Sequence, residues 1–547
     1  VASTTTVFGS ITAPRYPIAC FATVAAWRPV LGRLQVTSRG FRLGLSFDDY
    51  RSRDATALAE LVATGQVTSD ELIDAAVDRH HTVNPVINAV VSTRFEAARA
   101  EAARAATATV RGPFAGVPFL IKDLTSEVGE PVTFGSVFFK DFRGVFTPEV
   151  VHRFRRAGLV SVGRTNAPEL GLLPVTEPVL HGATRNPWSL DHTPGGSSGG
   201  AAAAVAAGIV PMAHASDGGG SIRIPASACG LFGMKPTRGR VPLAPAGAAD
   251  YLSTSFCISR SVRDSAILLD AVAGAAGGDR FTPPPPRALY RHHAEVDPPA
   301  LRIAVTTVDL DGNPIHPDCI VAVEQTVALL EGLGHHVEEA RPSFDGTAVR
   351  TAFLDWWKAM PHAAFLEILA VVEQRPMGKA LRRALGDLRA MRAVGKVVTR
   401  GSKLDAFEPF TWELVERGLQ LTAGELLMAT TVLQTAAYAL GDFLVAHDVL
   451  LTATLGEPPK RVGELDQRTP FDEFEDQLSR YVPYTPVANF SGFPAMTVPL
   501  HRNAGGLPIG SHFMARGGDE ATLFQLAGQL ERAQPWFDTV PEVPVGA

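Results

Sequence analysis

The segment that decides the fold is ASDGGGSIRIPAS, residues 215–227, where a predicted strand over 209–214 runs into three glycines and Ser221. Glycine permits unusual backbone angles, so successive N–H groups around 218–221 can converge on one point and form an oxyanion hole. A serine at the end of such a loop is well placed to act as a nucleophile. An ordinary turn between two strands explains the same glycines equally well.

A second glycine-rich segment, PGGSSGGAAAAVAAG at residues 194–208, precedes an alanine-rich helix. The free N–H groups at such a helix start could cradle a phosphate, but neither GxxxxGK[ST] nor GxGxxG occurs in this segment. Residues 196–200 also match G-x-S-x-G, which places Ser198 at the nucleophile position of that motif. A tight loop that caps a helix is the plain alternative.

The third segment is GVPFLIKDL, residues 116–124, in which Lys122 follows an apolar stretch. Lysine is scarce in this chain, with 8 among 50 basic residues, so this one merits attention. Burial penalises the charged form, and a fall of the pKa from about 10.4 to near 7 corresponds to roughly 4 kcal/mol. Such a lysine can act as a general base. The alternative is a lysine at a strand end whose ammonium group reaches water.

Together these segments resemble the amidase signature family, whose hallmark is their order and spacing. Ser197 follows Lys122 by 75 residues, and Ser221 follows Ser197 by 24. Further segments similar to motifs of the family are GRTNAPE at 163–169, NFSGFPA at 489–495 and GLPIG at 506–510. Arg164 stands where the family usually has lysine. The resemblance covers residues 48–540, and GATRNPW at 182–188 is similar to the bacterial branch that includes 6-aminohexanoate cyclic-dimer hydrolase.

The resemblance implies an α/β fold: a single large amidase-signature domain with a central mixed β-sheet and helices on both faces. It implies an amidase that works through a serine acyl-enzyme and a Ser–cis-Ser–Lys triad. In that triad Ser221 is the nucleophile, Ser197 is the bridging residue and Lys122 is the base. A cis peptide bond is expected between Gly196 and Ser197.

The resemblance also assigns supporting roles around the triad. The backbone N–H groups of Gly218, Gly219, Gly220 and Ser221 would receive the oxyanion, and Ser198 would support the network by hydrogen bonding. Asp217 and Arg223 are expected to be structural partners. This variant of the triad needs no metal and no cofactor, and the 15 histidines form no HExxH or similar pattern.

We expect residues 1–47 to be a poorly ordered N-terminal extension, because they contain five arginines and no acidic residue. A transit or signal peptide is the alternative. The amidase domain is expected at 48–540, with a mainly helical excursion at 345–445 and a tail at 541–547. The excursion is rich in aromatic residues, which could form an apolar pocket wall or ordinary core: Phe353, Trp356, Trp357, Phe365, Phe407, Phe410 and Trp412.

The composition excludes several classes of protein and of binding partner. Hydrophobic residues make up 46% and charged residues 19%, which excludes a disordered chain, and a net charge of −6 argues against nucleic-acid binding. Four widely spaced cysteines make no disulfide framework, which favours a reducing compartment. We therefore expect a cytoplasmic enzyme that acts on a small-molecule amide, with no nucleic-acid or membrane partner. A homodimer is compatible with the sequence.

Three other functions compete with an amidase. The first is the glutaminase subunit of a tRNA-dependent amidotransferase, which resembles the same family and works within a complex. The second is an α/β-hydrolase that uses Ser198, although it leaves Lys122 and the spacing of the other serines unexplained. The third is a non-catalytic module that binds a ligand with its glycine-rich loops, against which the intact set of Lys122, Ser197 and Ser221 argues.

Overall fold

The computed structural model describes residues 34–37, 40–43, 45–106, 112–245, 251–372 and 407–544. The chain divides into two compact units, residues 1–46 and 47–547. In the first unit, strands β1 (Leu34–Thr37) and β2 (Gly40–Leu43) pair antiparallel. The rest of the predicted extension up to residue 33 lies outside the described residues. The hairpin was not predicted, because four-residue strands are too short for a period-2 pattern to distinguish from coil.

The second unit alternates helices and strands. Its first half contains α1 (Phe47–Arg51), α2 (Ala55–Ala63), α3 (Ser69–Ile87), β3 (Val90–Thr93), α4 (Phe95–Ala106), β4 (Pro118–Lys122), α5 (Glu149–Arg156), β5 (Val160–Thr165), α6 (Gly199–Ala206), β6 (Met212–Asp217), α7 (Arg223–Ala228), β7 (Phe232–Lys235), β8 (Thr254–Ser259) and α8 (Val262–Val272). Its second half contains α9 (Tyr290–Glu295), β9 (Arg302–Val305), α10 (Pro317–Gly332), β10 (His336–Glu339), α11 (Gly346–Val372), α12 (Pro409–Gly418), α13 (Ala423–Ala446), β11 (Val449–Ala453), α14 (Phe471–Tyr481), α15 (Thr485–Ser491), β12 (Ala495–Arg502), β13 (Pro508–Ala515) and α16 (Glu520–Ala533).

The strands form a mixed sheet system, which confirms the predicted α/β class. Eight strands are hydrogen-bonded in the order β10-β9-β11-β13-β12-β7-β8-β6. The pairs β10–β9 and β9–β11 are parallel, and the remaining pairs of this sheet are antiparallel. A three-stranded sheet has the order β3-β5-β4, with β4 parallel to β5 and β3 antiparallel to it.

Helices cover both faces of the large sheet, as neighbouring residues of β13 demonstrate. Gly510 faces α7, because its N–H donates to Ser227 Oγ at 2.8 Å and a Cβ built on it would touch that side chain. The next residue, Ser511, points to α10, where its Oγ lies 2.6 Å from Thr326 Oγ1. Successive residues of a strand point to opposite faces, so α7 and α10 lie on opposite sides of the sheet.

The two sheets meet where β4 runs beside β6. The backbone N–H of Lys122, at the end of β4, donates to His214 Nδ1 in β6 at 3.3 Å. All five residues of β4 are buried, and five of the six residues of β6 are buried as well. The residues of both strands at this junction are therefore almost all buried.

Helix α3 confirms one local prediction and corrects another. Thr68 and Glu71 form the predicted capping box at its start. The helix was expected to stop at Asn84–Pro85, but it continues through Pro85 to residue 87. Proline removes a single N–H from a helix, and here the Asn84 side chain binds the chain beyond the helix end, accepting from Val90 N–H at 2.8 Å.

The excursion is helical where the structure describes it, through α11, α12 and α13. Residues 373–406, in its middle, lie outside the described residues. Its helices pack against the body of the unit, since α13 contacts both α11 and α15. Among the described helices, none combines the length and apolar character needed to cross a membrane.

Candidate active site

Lys122 is completely buried at the end of β4. Its Nζ lies 2.8 Å from Ser197 Oγ and 3.1 Å from Ser216 Oγ. Burial lowers the pKa of Lys122 to about 7, although the carboxylate of Asp217 opposes this by favouring the charged form. A substantial fraction of this lysine is therefore neutral at physiological pH. The alternative of an ammonium group that reaches water is wrong, because the side chain has no exposed surface.

Ser197 and Ser198 lie in the loop that leads into α6. The peptide bond between Gly196 and Ser197 is cis, as the resemblance implied. Ser198 Oγ donates to the backbone carbonyl of Ser216 at 3.3 Å. Ser198 has no exposed surface, whereas the serine of a G-x-S-x-G elbow must present its oxygen to substrate. The structure therefore disfavours Ser198 as a nucleophile.

Ser221 lies at the end of the loop between β6 and α7. It lines a cavity of about 790 Å³, together with Ser197, Ser216, Gly218 and Gly219. The structure thus brings Ser197 and Ser221, two of the three serines predicted from the sequence, to one cavity, and Ser198 does not line it. The Lys122 side-chain nitrogen is linked to that cavity through Ser197.

The structure corrects the prediction for Gly220. Its N–H donates to Asp217 Oδ1 at 2.7 Å, so that donor is directed away from the cavity. Gly220 is also buried, whereas Gly218, Gly219 and Ser221 are partly accessible and line the cavity wall. The N–H groups available to an oxyanion are therefore those of its neighbours in the loop.

A buried polar network holds the loop that carries Ser221. Asp217 and Arg223 belong to this network and have the structural role expected of them. Arg223 Nε donates to Asp217 Oδ2 at 2.9 Å, and another of its nitrogens donates to Asn489 Oδ1 at 2.6 Å. Burial of Asp217 opposes its ionisation, yet the ion pair with Arg223 holds the pKa of that carboxyl below its ordinary value. Asn489, the first residue of NFSGFPA, also donates to the backbone carbonyl of Asp217 at 3.0 Å.

Histidines contribute neutral acceptors to this region. Burial lowers the pKa of His214 to about 3, and its Nδ1 accepts from the Lys122 backbone. Burial also lowers the pKa of His512, whose Nε2 lies 3.0 Å from an Arg223 nitrogen. Within the described ranges, no group of His, Cys, Asp or Glu is arranged to hold a metal ion.

Two residues that contact the predicted site were missed by sequence reasoning. Ser216 contacts Lys122 with its hydroxyl, and Thr485 Oγ1 donates to the carbonyl of Gly219 at 2.7 Å. Alternation along β6 could have identified Ser216, because it lies on the same face as His214 two residues earlier. No pattern in the sequence indicates Thr485, since its contact joins residues 266 positions apart.

The excursion supplies part of the cavity wall. Phe353 and Trp357 of α11 line the cavity, and the Phe353 ring lies against Gly219. Trp356 instead stacks on Tyr251. Phe407, Phe410 and Trp412 belong to core clusters. The side chain of Phe365 lies outside the described residues. Two of the predicted aromatics thus reach the candidate site, and most of the rest are core.

Arg164, which departs from the family pattern, is buried and forms hydrogen bonds that hold the chain after Lys122. One guanidinium nitrogen donates to Glu127 Oε2 at 2.7 Å and another donates to the carbonyl of Thr125 at 2.6 Å. Both partners belong to the segment that follows Lys122, so Arg164 fixes the course of the chain there.

Comparison with known proteins identifies the family of this chain. The amidase family model matches residues 71–524. The 6-aminohexanoate-cyclic-dimer hydrolase of Paenarthrobacter ureafaciens is 36% identical over 511 residues, which cover 90% of this chain and 97% of that protein. The chain belongs to the amidase signature family. It is accordingly an amidase, a hydrolase of carbon–nitrogen bonds in amides.

Solved structures agree with this amidase assignment. A structure of 6-aminohexanoate cyclic dimer hydrolase complexed with substrate matches at a TM-score of 0.78 and 34% identity, covering 90% of this chain and 99% of that one. A glutamyl-tRNA(Gln) amidotransferase subunit from Thermotoga maritima matches at a TM-score of 0.69 and 26% identity, covering 91% and 99%. The amidase relatives therefore fit better than the amidotransferase alternative.

Proposed function

We propose that this amidase cleaves its substrate through a covalent intermediate on Ser221, with Ser197 and Lys122 as a proton relay. The observation that carries the proposal is the hydrogen bond of 2.8 Å between Lys122 Nζ and Ser197 Oγ at the edge of the cavity that Ser221 lines. A lysine whose pKa is lowered to about 7 supports the role of base, because its neutral form has a free electron pair.

In the proposed first step, Ser221 Oγ attacks the carbonyl carbon while its proton passes to Ser197, whose own proton passes to Lys122. The tetrahedral intermediate then loses its amine, which takes a proton back through the same relay. Water attacks the resulting ester, gives a proton to the relay, and releases the carboxylic acid as Ser221 regains its hydrogen. The step sequence balances without a metal or a redox partner.

The oxyanion that forms in each step needs N–H donors on the cavity side of the loop. We assign this role to Gly218, Gly219 and Ser221, because these residues line the cavity. Gly220 is left out, since its N–H is bonded to Asp217. Fixed donors of this kind stabilise developing charge without reorganisation, and the loss of one typically costs about 10²–10³ in rate.

For the substrate, we propose an uncharged, partly apolar amide. Apolar side chains form part of the cavity wall, including Leu172, Ile224, Phe353 and Trp357. A volume of about 790 Å³ is within the range of sites that enclose a small organic molecule. Charged side chains of both signs also line the cavity, four carboxylates and two guanidinium groups: Asp309, Asp311, Glu457, Asp476, Arg350 and Arg480.

The proposal extends to a cytoplasmic enzyme that needs no nucleic-acid or membrane partner. The free thiols of Cys229, Cys257 and Cys319 support a reducing compartment, because all three are buried and unpaired. A net charge of −6 supports a small-molecule substrate over a polyanion.

Labelling with a fluorophosphonate tests the nucleophile. The purified chain is treated with the probe and digested, and the modified peptide is mapped by mass spectrometry. We expect the label on Ser221. A label on Ser198 would replace the proposed triad by an elbow mechanism, and absence of any label would refute a serine acyl-enzyme. Glutamine hydrolysis by the same preparation would instead support the amidotransferase alternative.

A further inference from the structure

One peptide unit of the nucleophile loop is held at both ends by side chains. The carbonyl of Gly219 accepts a hydrogen bond from Thr485 Oγ1 at 2.7 Å, and the N–H of Gly220 donates to Asp217 Oδ1 at 2.7 Å. These two groups belong to the same planar peptide. Bonds to opposite ends of a rigid plane fix its rotation about the chain direction.

Fixing this plane determines where the neighbouring N–H groups point. With the Gly220 N–H turned toward Asp217, the residues on either side face the cavity: Gly218, Gly219 and Ser221 line it. Gly220 has a φ of +134°, a conformation that favours glycine, and a side chain there would collide with Thr485. The backbone angle and the threonine therefore select the same loop conformation.

Thr485 is itself held firmly. It begins α15 and has no exposed surface. Asn489 follows it by four residues and so lies on the same side of the helix, where its Nδ2 donates to Asp217 Oδ1 at 2.8 Å. Helix α15 thus binds the nucleophile loop at two points: the carbonyl of Gly219, and the Asp217 carboxylate that accepts from the Gly220 N–H.

We infer that Thr485 is a positioning residue for the oxyanion hole. Its hydroxyl orients the Gly219–Gly220 peptide, and through that peptide it keeps the adjacent N–H groups directed at the carbonyl oxygen of a bound amide. The inference rests on the proposed function, because it assigns the residue a part in acyl transfer to Ser221. If Thr485 only filled space in the core, its methyl group would matter and its hydroxyl would not.

Variants that separate the hydroxyl from the methyl group test this. Thr485→Val keeps the shape and removes the donor, whereas Thr485→Ser keeps the donor and removes the methyl group. Thr326→Val is the matched control, because Thr326 is also wholly buried and donates to a backbone carbonyl, that of Ala322, in a helix away from the loop. The measurements are kcat and KM for a chromogenic anilide, the rate of fluorophosphonate labelling at Ser221, and the thermal midpoint.

We expect Thr485→Val to lower kcat and the labelling rate in parallel by about 10- to 100-fold, with KM within about twofold of wild type. A misdirected donor stabilises the transition state less and affects the bound ground state little. Thr485→Ser should stay within about threefold of wild type in both rates. Thr326→Val should lower the thermal midpoint and keep both rates.

Two results would overturn the inference. One is wild-type labelling and kcat in Thr485→Val, and the other is a loss in Thr485→Ser equal to that in Thr485→Val. Should Thr485→Val fail to fold, the serine variant still decides, because a slow but stable Thr485→Ser contradicts a role for the hydroxyl. A wild-type enzyme that takes no label at Ser221 would refute the proposed triad, and this inference with it.

Discussion

Replacing Lys122 by methionine tests whether this lysine is neutral in the folded protein and whether that neutrality drives catalysis. Methionine has a similar length and no charge, so it fills the buried space between β4 and β6. The variant should lose nearly all activity, because Ser197 loses the base to which it is hydrogen-bonded at 2.8 Å. Loss of activity alone would not identify a neutral lysine, so a measurement of protonation is needed.

The size of the protonation effect follows from the two pKa values. In the folded protein the pKa of Lys122 is about 7, and in the unfolded chain a lysine has a pKa of about 10.4. At pH 8.5 the folded lysine is mostly neutral and the unfolded lysine is protonated, so unfolding takes up about one proton at this residue. By linkage, the free energy of unfolding then rises with pH by about 1.4 kcal/mol per unit between pH 7 and 10.4. The loss of folding stability caused by the lowered pKa of Lys122 is therefore fully present below pH 7 and absent above pH 10.4.

The second fully buried lysine of the described chain is a matched control. Lys235 has no exposed surface, and burial lowers its pKa to about 7 as well. Its Nζ donates at 2.9 Å to the carbonyl of Pro236, which is not a residue of the candidate triad. Lys235→Met should therefore change the protonation balance as Lys122→Met does, and leave the catalytic base in place.

The assay combines potentiometry with kinetics. Unfolding in guanidinium chloride at pH 8.5 should take up about one proton fewer in each methionine variant than in wild type. The pH dependence of kcat/KM in wild type should show an acid limb with a pKa of about 7, since protonated Lys122 cannot accept a proton. Lys235→Met should keep that limb. Proton uptake in Lys122→Met equal to that of wild type, or full activity of this variant at neutral pH, would refute the neutral-lysine mechanism.

Further substitutions test the nucleophile, the supporting network and the pocket. Ser221→Ala should show no burst of product with an activated ester, whereas Ser198→Ala should keep turnover within about tenfold of wild type, and the reverse pattern would exchange their roles. Asp217→Asn should lower the free energy of unfolding by about 3–5 kcal/mol in chemical denaturation, because Arg223 is left buried without a counter-charge, and unchanged stability would contradict this. Phe353→Ala should raise KM for anilides more than for acetamide, since only the larger substrate reaches the ring. Equal effects on both substrates would contradict a contact between the substrate and Phe353.

The fold and the centre of the site could be predicted because their signals are local in sequence or follow a family spacing. The capping box of α3, the apolar β4 and the loops that carry Ser197 and Ser221 each lie within a few neighbouring residues. The departures have a different origin. Pro85 was expected to end a helix, but the helix continues to residue 87, and the Asn84 side chain accepts a hydrogen bond from the backbone beyond its end. Gly220 was grouped with its neighbours because a run of glycines gives no indication of which N–H a carboxylate will bind.

Lys122 and Lys235 show why a lowered pKa by itself does not identify a catalytic base. Burial dominates the shift at both residues and the pKa of each is about 7, so the pKa value does not distinguish them. What differs is the partner: a carbonyl, which can only accept, lies beside Lys235, whereas a hydroxyl that can both accept and donate lies beside Lys122. A neutral lysine can take a proton only from a donor, so of these two buried lysines only the one at the junction of β4 and β6 has a neighbour with which proton transfer can begin.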